Sequence, residues 1–375
     1  MWTLLWALGI PALMAGGSVG GWAGSSAASD TLRIRAEVGT GPVRGRVTSS
    51  LSSRPVPFAL IALDRPKLDF FGSEDGTFRL PALERGEHRL LVRQLGFSPL
   101  EVLLVASPGG PDSLAIVIEP AAVVLPTLVA TGCARVQDLD AHLRGVLELA
   151  AENARRLDLM QRDYPYSGLY LQVREVYGRD GALISRRPSR EELAFWSKPP
   201  YRPGRAIVPS RNGLVDVVYF AATALLAENF RKTHCFRFGG VDTTDSGERL
   251  LTLEFEPLLS LEGPDWEGRI VLAESGVLRK SEARLVARKP KDNWPRSVHC
   301  QVEYEAVGGS LPMEAGLVCR IQMGEPYGTE AIEEWRLECQ RFVKRVPGLD
   351  AGIRADSSKV WRGRLCSTVT IKREP

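Results

Sequence analysis

The chain has 375 residues, 44% hydrophobic and 25% charged, an ordinary globular balance with length for two domains. Lys and Arg number 48 against 45 Asp and Glu, a net charge of +3 that speaks against a general nucleic-acid binder, which needs a concentrated basic face. Only four His accompany six Cys, so a His-rich metal site is excluded too.

Residues 2–15 form an apolar run too short to span a bilayer, and small residues follow it. Gly21 and Ala23, or Ser25 and Ala27, suit a signal-peptidase site. The expectation is a signal peptide over 1–27 and a secreted, periplasmic or outer-membrane-associated protein. No Lys or Arg precedes the run, so an uncleaved anchor is the alternative. No later stretch has the apolar length of a transmembrane helix. Six Cys behind such a leader point to disulfides, and no C-x-x-C pair suggests zinc or thioredoxin-type chemistry.

From Val43 short apolar-alternating segments recur about every ten residues: 43–48, 58–63, 76–80, 88–93, 100–105 and 114–118. Turn signals such as Asp75-Gly76 separate them, which is the pattern of an antiparallel sandwich. The order Gly45-x-Val47, Pro55-Val-Pro57, Asp75-Gly76-x-Phe78-x-Leu80, Leu83-x-x-Gly86, Leu90-Leu-Val92 and Leu95-Gly-Phe97 resembles the carboxypeptidase regulatory-like domain. The resemblance covers 42–131. It implies a transthyretin-like, immunoglobulin-like β-sandwich that is non-catalytic and serves folding or interaction. No zinc-peptidase motif follows it.

Residues 120–131 read as an extended connector. Then Leu139, Leu143, Val146, Leu147, Ala150, Ala154 and Leu157 recur at helical spacing, predicting one amphipathic helix over 138–161 that starts at Asp138 or Asp140. A strand is expected at 167–177. A long loop is expected over 186–213, with a short helix at 189–196 from a Ser189/Glu192 capping box. A strand at 215–220 and a short helix at 223–233 precede a meander of strands at 235–238, 249–257, 266–273, 277–288, 297–306, 317–323 and 332–345. Residues 346–375 read as a tail with one possible strand at 361–372. The fold class is mainly β: a sandwich, then an α+β domain over 132–345 with one long helix and a curved antiparallel sheet.

Thr233-His-Cys-Phe-Arg237, Leu253-Glu-Phe-Glu-Pro257, Gly263 to Leu272 and Val277-Leu-Arg-x-x-Glu282 are similar to uncharacterised secreted bacterial proteins that follow a regulatory-like sandwich with a β-rich domain. The same segment resembles half-barrels of the periplasmic lipoprotein-carrier type. That resemblance implies a curved sheet around a helix and an apolar concavity, with Leu253, Phe255 and Ile270 as candidate lining. Disulfides are expected for Cys133–Cys235, which staples the helix start to the sheet, for Cys300–Cys319 on one hairpin, and for Cys339–Cys366; buried free thiols are the alternative.

Chemistry-bearing motifs are sparse. His88, His142, His234 and His299 stand in no zinc-binding context, and His234-Cys235 would point to opposite faces of a strand. No nucleophile elbow or phosphate loop occurs. Glu254, Glu256, Glu262, Asp265 and Glu267 are abundant carboxylates without a readable spacing. The expectation is therefore no catalytic residue, no cofactor and no metal. Three functions remain: a non-catalytic binding or envelope-assembly protein, whose partner is an envelope protein or a hydrophobic or glycan ligand; a carrier of lipid or another hydrophobic ligand; or a hydrolase of glycan or peptide. Sugar stacking on the sandwich is disfavoured, because it has no Trp or Tyr after position 42.

Overall fold

The computed structural model describes residues 32–121, 132–164, 166–195, 201–209, 215–291, 294–307, 310–323 and 329–342. The expected leader, the 122–131 connector, the 346–375 tail and Cys366 lie outside the described residues. The fold is mainly β, an N-terminal sandwich followed by a sheet-rich domain.

The sandwich holds β1 (Leu32–Gly39), β2 (Val43–Ser49), β3 (Leu60–Leu63), β4 (Leu68–Phe71), β5 (Thr77–Leu80), β6 (Gly86–Arg93), β7 (Leu100–Ser107) and β8 (Ser113–Ile118). One sheet runs β1-β7-β6-β3-β4 and the other β5-β2-β8. Alternation supplies the core: Val43 and Val47 of β2, Leu114, Ile116 and Ile118 of β8, and Val102 and Leu104 of β7 all point inward. Gly45 pairs with Phe78 across β2 and β5, and a Cβ on Gly45 would lie 2.0 Å from the Phe78 ring. That close approach leaves no room for a larger residue at position 45 without moving the Phe78 ring. Gly76 holds φ +76° in the turn, where a Cβ would meet the Val47 carbonyl oxygen at 2.6 Å. Beside it, hydrogen bonds from Ser73 and Thr77 hold the Asp75 carboxyl below its ordinary value.

The second domain opens with α1 (Ala141–Asp163), whose Asp140 cap accepts the Leu143 N–H at 2.7 Å. Nine antiparallel strands follow in one sheet: β9 (Tyr166–Tyr177), β10 (Leu183–Phe195), β13 (His234–Thr243), β14 (Arg249–Pro257), β15 (Asp265–Ala273), β16 (Leu278–Val286), β17 (Pro295–Val307), β18 (Leu311–Met323) and β19 (Glu330–Phe342). Their order is β10-β9-β19-β18-β17-β16-β15-β14-β13. Between β10 and β13 lie a small ribbon of β11 (Ile207–Pro209) and β12 (Val215–Val217), a turn of 3₁₀ helix at Ala222–Leu226, and α2 (Glu228–Thr233).

The buried stripe of α1 is Leu143, Val146, Leu147, Ala150, Ala154 and Leu157, which packs on Leu251, Leu253, Phe255, Ile270 and Leu272. The helix touches both β14 and β18. Those strands stand four spacings apart, about 19 Å, which a 23-residue helix of about 34 Å spans by crossing the sheet obliquely.

One expectation is overturned. Residues 186–195 are not a loop with a short helix at 189–196; they lie in β10, paired with β9 so that Pro188 faces Val173 and Ser189 faces Gln172. Ser189 Oγ donates to Gln172 Oε1 and caps no helix. The strand sits at the sheet edge, where Pro and a run of charges are tolerated.

The two domains share a packed junction. Phe58, Leu60 and Phe71 of the sandwich meet Leu159, Met160 and Tyr164 of α1 and Leu311 and Met313 of β18. Leu95 packs on Ala273 and Val277 at the β15–β16 turn. Asn153, fully buried, donates to the Gly276 carbonyl and accepts from Leu278 N–H, fixing that turn on α1.

Candidate functional site

Residues 201–209 and 215–227 form a roof over part of the sheet. Backbone bonds tie it down: Ala206 N–H donates to the Pro264 carbonyl at 3.0 Å, and Val218 N–H to the Ala206 carbonyl at 2.9 Å. The Trp266 indole N–H donates to the Val218 carbonyl at 3.0 Å. The buried Asp265 carboxylate completes the anchor by accepting from Gly204 N–H at 2.9 Å, from its neighbour Trp266 N–H at 2.8 Å, and from the Tyr201 hydroxyl. Burial and that carboxylate push the Tyr201 phenol far up, so it stays a donor.

His234 lies beside this anchor with no exposure. Its Nδ1 is 3.1 Å from the Phe230 carbonyl oxygen, its Nε2 is 3.0 Å from the Trp266 carbonyl oxygen, and its ring stacks on Phe230 with centroids 3.9 Å apart. Burial holds the imidazole below its ordinary value, although Asp265 Oδ1 at 3.8 Å pulls the other way. The folded chain therefore binds fewer protons here than the unfolded chain once pH falls below about 6.5, and stability declines from that point downward. His234→Gln removes the titration. Its unfolding free energy should fall less steeply with decreasing pH than that of the wild type, by up to about 1.4 kcal/mol per pH unit. Parallel slopes in urea titrations at several pH values would refute this.

Between roof and sheet lies a cavity of about 1030 Å³. Val218, Tyr219, Phe220, Ala221, Ala224 and Leu226 line it from the roof. Tyr170, Trp266, Val302, Leu317 and Trp335 line it from the sheet. It runs along the strands, from Tyr170 and Glu314 near the sandwich to Trp266, Arg202 and Arg205 at the far end. Val218 and Tyr219 are 38% and 39% exposed, so the apolar lining opens to solvent. Three carboxylates also reach the cavity. Asp158 is raised by burial and lies 3.6 Å from Arg162 Nη1, Glu333 lies 3.4 Å from Arg174 Nε, and Glu314 stands near Tyr170.

The structure places the sequence candidates differently from one another. Leu253, Phe255 and Ile270 do not line this cavity; they are 0–2% exposed in the filled core under α1. Phe255 stacks on the cavity residue Phe220 with centroids 4.9 Å apart, so it backs the wall. Cys133–Cys235 and Cys300–Cys319 are disulfides, with Cα atoms 5.3 Å and 4.1 Å apart. Glu256 adjoins the first pair, but sulfurs bonded to each other are not thiolate metal ligands. Cys339 lies on β19, and its expected partner Cys366 is outside the described residues. Glu254 and Glu267 pair with Arg237 and Arg284 on the opposite face of the sheet, where Arg269 and Glu282 add a third pair. Glu262 is exposed in a loop. His88 is held between the carbonyls of Arg65 and Glu84, and His142 meets Phe238 edge-on. Sequence reading missed the roof. Its signal was the density of aromatic and small apolar residues from Val215 through Ala227, where only a strand at 215–220 and a short helix from 223 were expected.

Comparison with known proteins places the first domain. Residues 42–119 match the family of the carboxypeptidase regulatory-like domain. No curated protein matches the chain. Among solved structures, MucB in complex with MucA(peri) is 9% identical and covers 50% of this chain and 92% of its own, at a TM-score of 0.17. That score gives the half-barrel resemblance of the second domain no support.

Proposed function

We propose that this chain is a non-catalytic, extracytoplasmic binding protein whose second domain takes up a hydrophobic or amphipathic small molecule beneath the roof. The cavity carries the reading. Its volume, about 1030 Å³, reaches the upper end of small-molecule sites, and its aromatic and aliphatic lining with a few polar groups is the composition such sites have. Two disulfides and the lack of any described helix long and apolar enough to cross a membrane are compatible with an extracellular or periplasmic location. The non-catalytic part of the reading is supported by His234, since both its nitrogens face backbone carbonyls and neither is left for proton transfer to a bound molecule.

The test is uptake of a fluorescent fatty acid by protein stripped of lipid, with native mass spectrometry of the unstripped protein beside it. The wild type should bind the probe, and Ala221→Trp and Ala227→Trp, which place an indole in the cavity, should weaken binding by about tenfold or more with unchanged thermal unfolding. Equal binding by wild type and filled variants, or none by the wild type, would defeat the reading.

A further inference from the structure

The sandwich occupies one end of the nine-stranded sheet, at the β15–β16 turn. At the opposite end three segments converge. The 258–264 loop joins β14 to β15, and residues 287–291 follow β16, whose Val286 pairs with Asp265. The roof segment 201–205 meets them, since Gly204 and Gly263 touch backbone to backbone; a Cβ on Gly263 would stand 2.4 Å from the Gly204 oxygen. The Arg288 guanidinium donates to the Leu259 carbonyl, which closes the group.

These segments carry Arg202, Arg205, Arg288, Lys289 and Lys291, all exposed, against Glu262 alone. Asp292, next in the chain, does not reverse that balance. The rest of the molecule is close to neutral, so five of its cations stand at one end. Among them Leu259 projects 87% exposed, and Lys291 lies over the Trp294 ring at 5.6 Å. Cations around an exposed aliphatic side chain and a half-buried indole suit the boundary between water and an anionic bilayer. The exposed Arg202 and Arg205 also line the cavity, so the cavity reaches this end.

We infer that this end docks on a lipid surface rich in anionic phospholipid, with Leu259 entering the headgroup layer and the end of the cavity lined by Arg202 and Arg205 facing the membrane. As the source of the ligand, the membrane extends the binding reading and rests on it; the docking surface is carried by charge and exposure alone.

The experiment is co-sedimentation with vesicles of phosphatidylcholine alone and of phosphatidylcholine mixed with phosphatidylglycerol, over a range of salt. The full chain should bind the anionic vesicles, release as salt rises, and ignore neutral ones. The triple variant Arg288→Glu, Lys289→Glu, Lys291→Glu should lower partitioning by about 100-fold, and Leu259→Asp should lower it with the cations intact. None of these four residues lines the cavity, so both variants should still take up the fatty-acid probe. Conversely, Ala221→Trp should lose the probe and keep the vesicles, which separates failure of the docking surface from failure of the ligand site. Equal binding to both vesicle types, or wild-type partitioning by the charge-reversed variant, would overturn the inference. Retention on heparin without vesicle binding would overturn it as well and assign the surface to a soluble polyanion.

Discussion

Glu152→Ala should cost about 3–5 kcal/mol of unfolding free energy, the largest loss expected from a single substitution at the domain junction. Arg156 of α1 has no solvent exposure. Its Nη1 donates to the Phe58 carbonyl at 3.0 Å and its Nη2 to the Arg93 carbonyl at 3.1 Å, so one α1 side chain holds the segment before β3 and the end of β6. Burial pulls the guanidinium down to about 10, the Glu152 carboxylate opposes that pull, and the neighbouring Arg93 charge adds to it. Glu152 stands between the two cations, 3.3 Å from Arg156 Nε and 3.5 Å from Arg93 Nε, and reaches Arg155 at 3.2 Å. Without it, a fully buried charge keeps two carbonyl partners and faces a like charge. The double variant Glu152→Ala, Arg156→Met removes that charge and should be more stable than Glu152→Ala alone. The cores of the two domains are separate clusters joined at this junction, so Glu152→Ala should also split one urea transition into two. A single variant that unfolds like the wild type would show that the network contributes nothing.

What could be read from the sequence follows from where each residue sits. Central strands such as β2 and β7 bury alternate side chains, and β14 buries Leu251, Thr252, Leu253 and Phe255, so their patterns were legible. The strands that escaped were edges. β1 and β4 flank the five-stranded sheet, β10 flanks the nine-stranded one, and β11 belongs to a ribbon of two. An edge strand needs little apolar patterning, and β10, with Arg186, Arg187, Pro188 and Arg190, reads as a loop for that reason. The α1 stripe and its Asp140 cap were legible because both are local. The cavity was not, because it exists only where the roof meets residues of β9, β15, β17, β18 and β19 brought together by the sheet. Leu253, Phe255 and Ile270 have the composition of a pocket, yet α1 and the roof fill the space in front of them. Long-range packing decides between a wall and a core, and no local pattern records it.

Removing Cys133–Cys235 should destabilise the chain more than removing Cys300–Cys319, by about 1.5 kcal/mol. The first bridge closes a loop with a sequence separation of 102 and the second one of 19. In the chain-entropy account, a loop of about 100 residues contributes about 4.7 kcal/mol and one of about 15 residues about 3 kcal/mol. Structure reinforces the difference. Cys300 and Cys319 face each other in register on β17 and β18, whose ladder holds them together without the bond. Cys133 lies in the short segment before α1, which is joined to β13 by an isolated bridge: Ala134 N–H donates to the Phe236 carbonyl at 2.9 Å, and Phe236 N–H to the Ala134 carbonyl at 2.7 Å. Without the covalent link, that two-bond bridge and the packing of Val136 and Leu139 on the core must fix the entry of α1 against β13, the edge strand of the sheet. Paired Cys→Ala variants, compared by urea unfolding with the remaining cysteines oxidised, give the two losses directly. The Cys133/Cys235 variant should also expose the Ala134 and Phe236 amides to faster hydrogen exchange, whereas the Cys300/Cys319 variant keeps its hairpin amides protected. An equal loss from both variants, or a greater one from Cys300/Cys319, would mean that strand pairing and not loop closure sets the worth of these bonds.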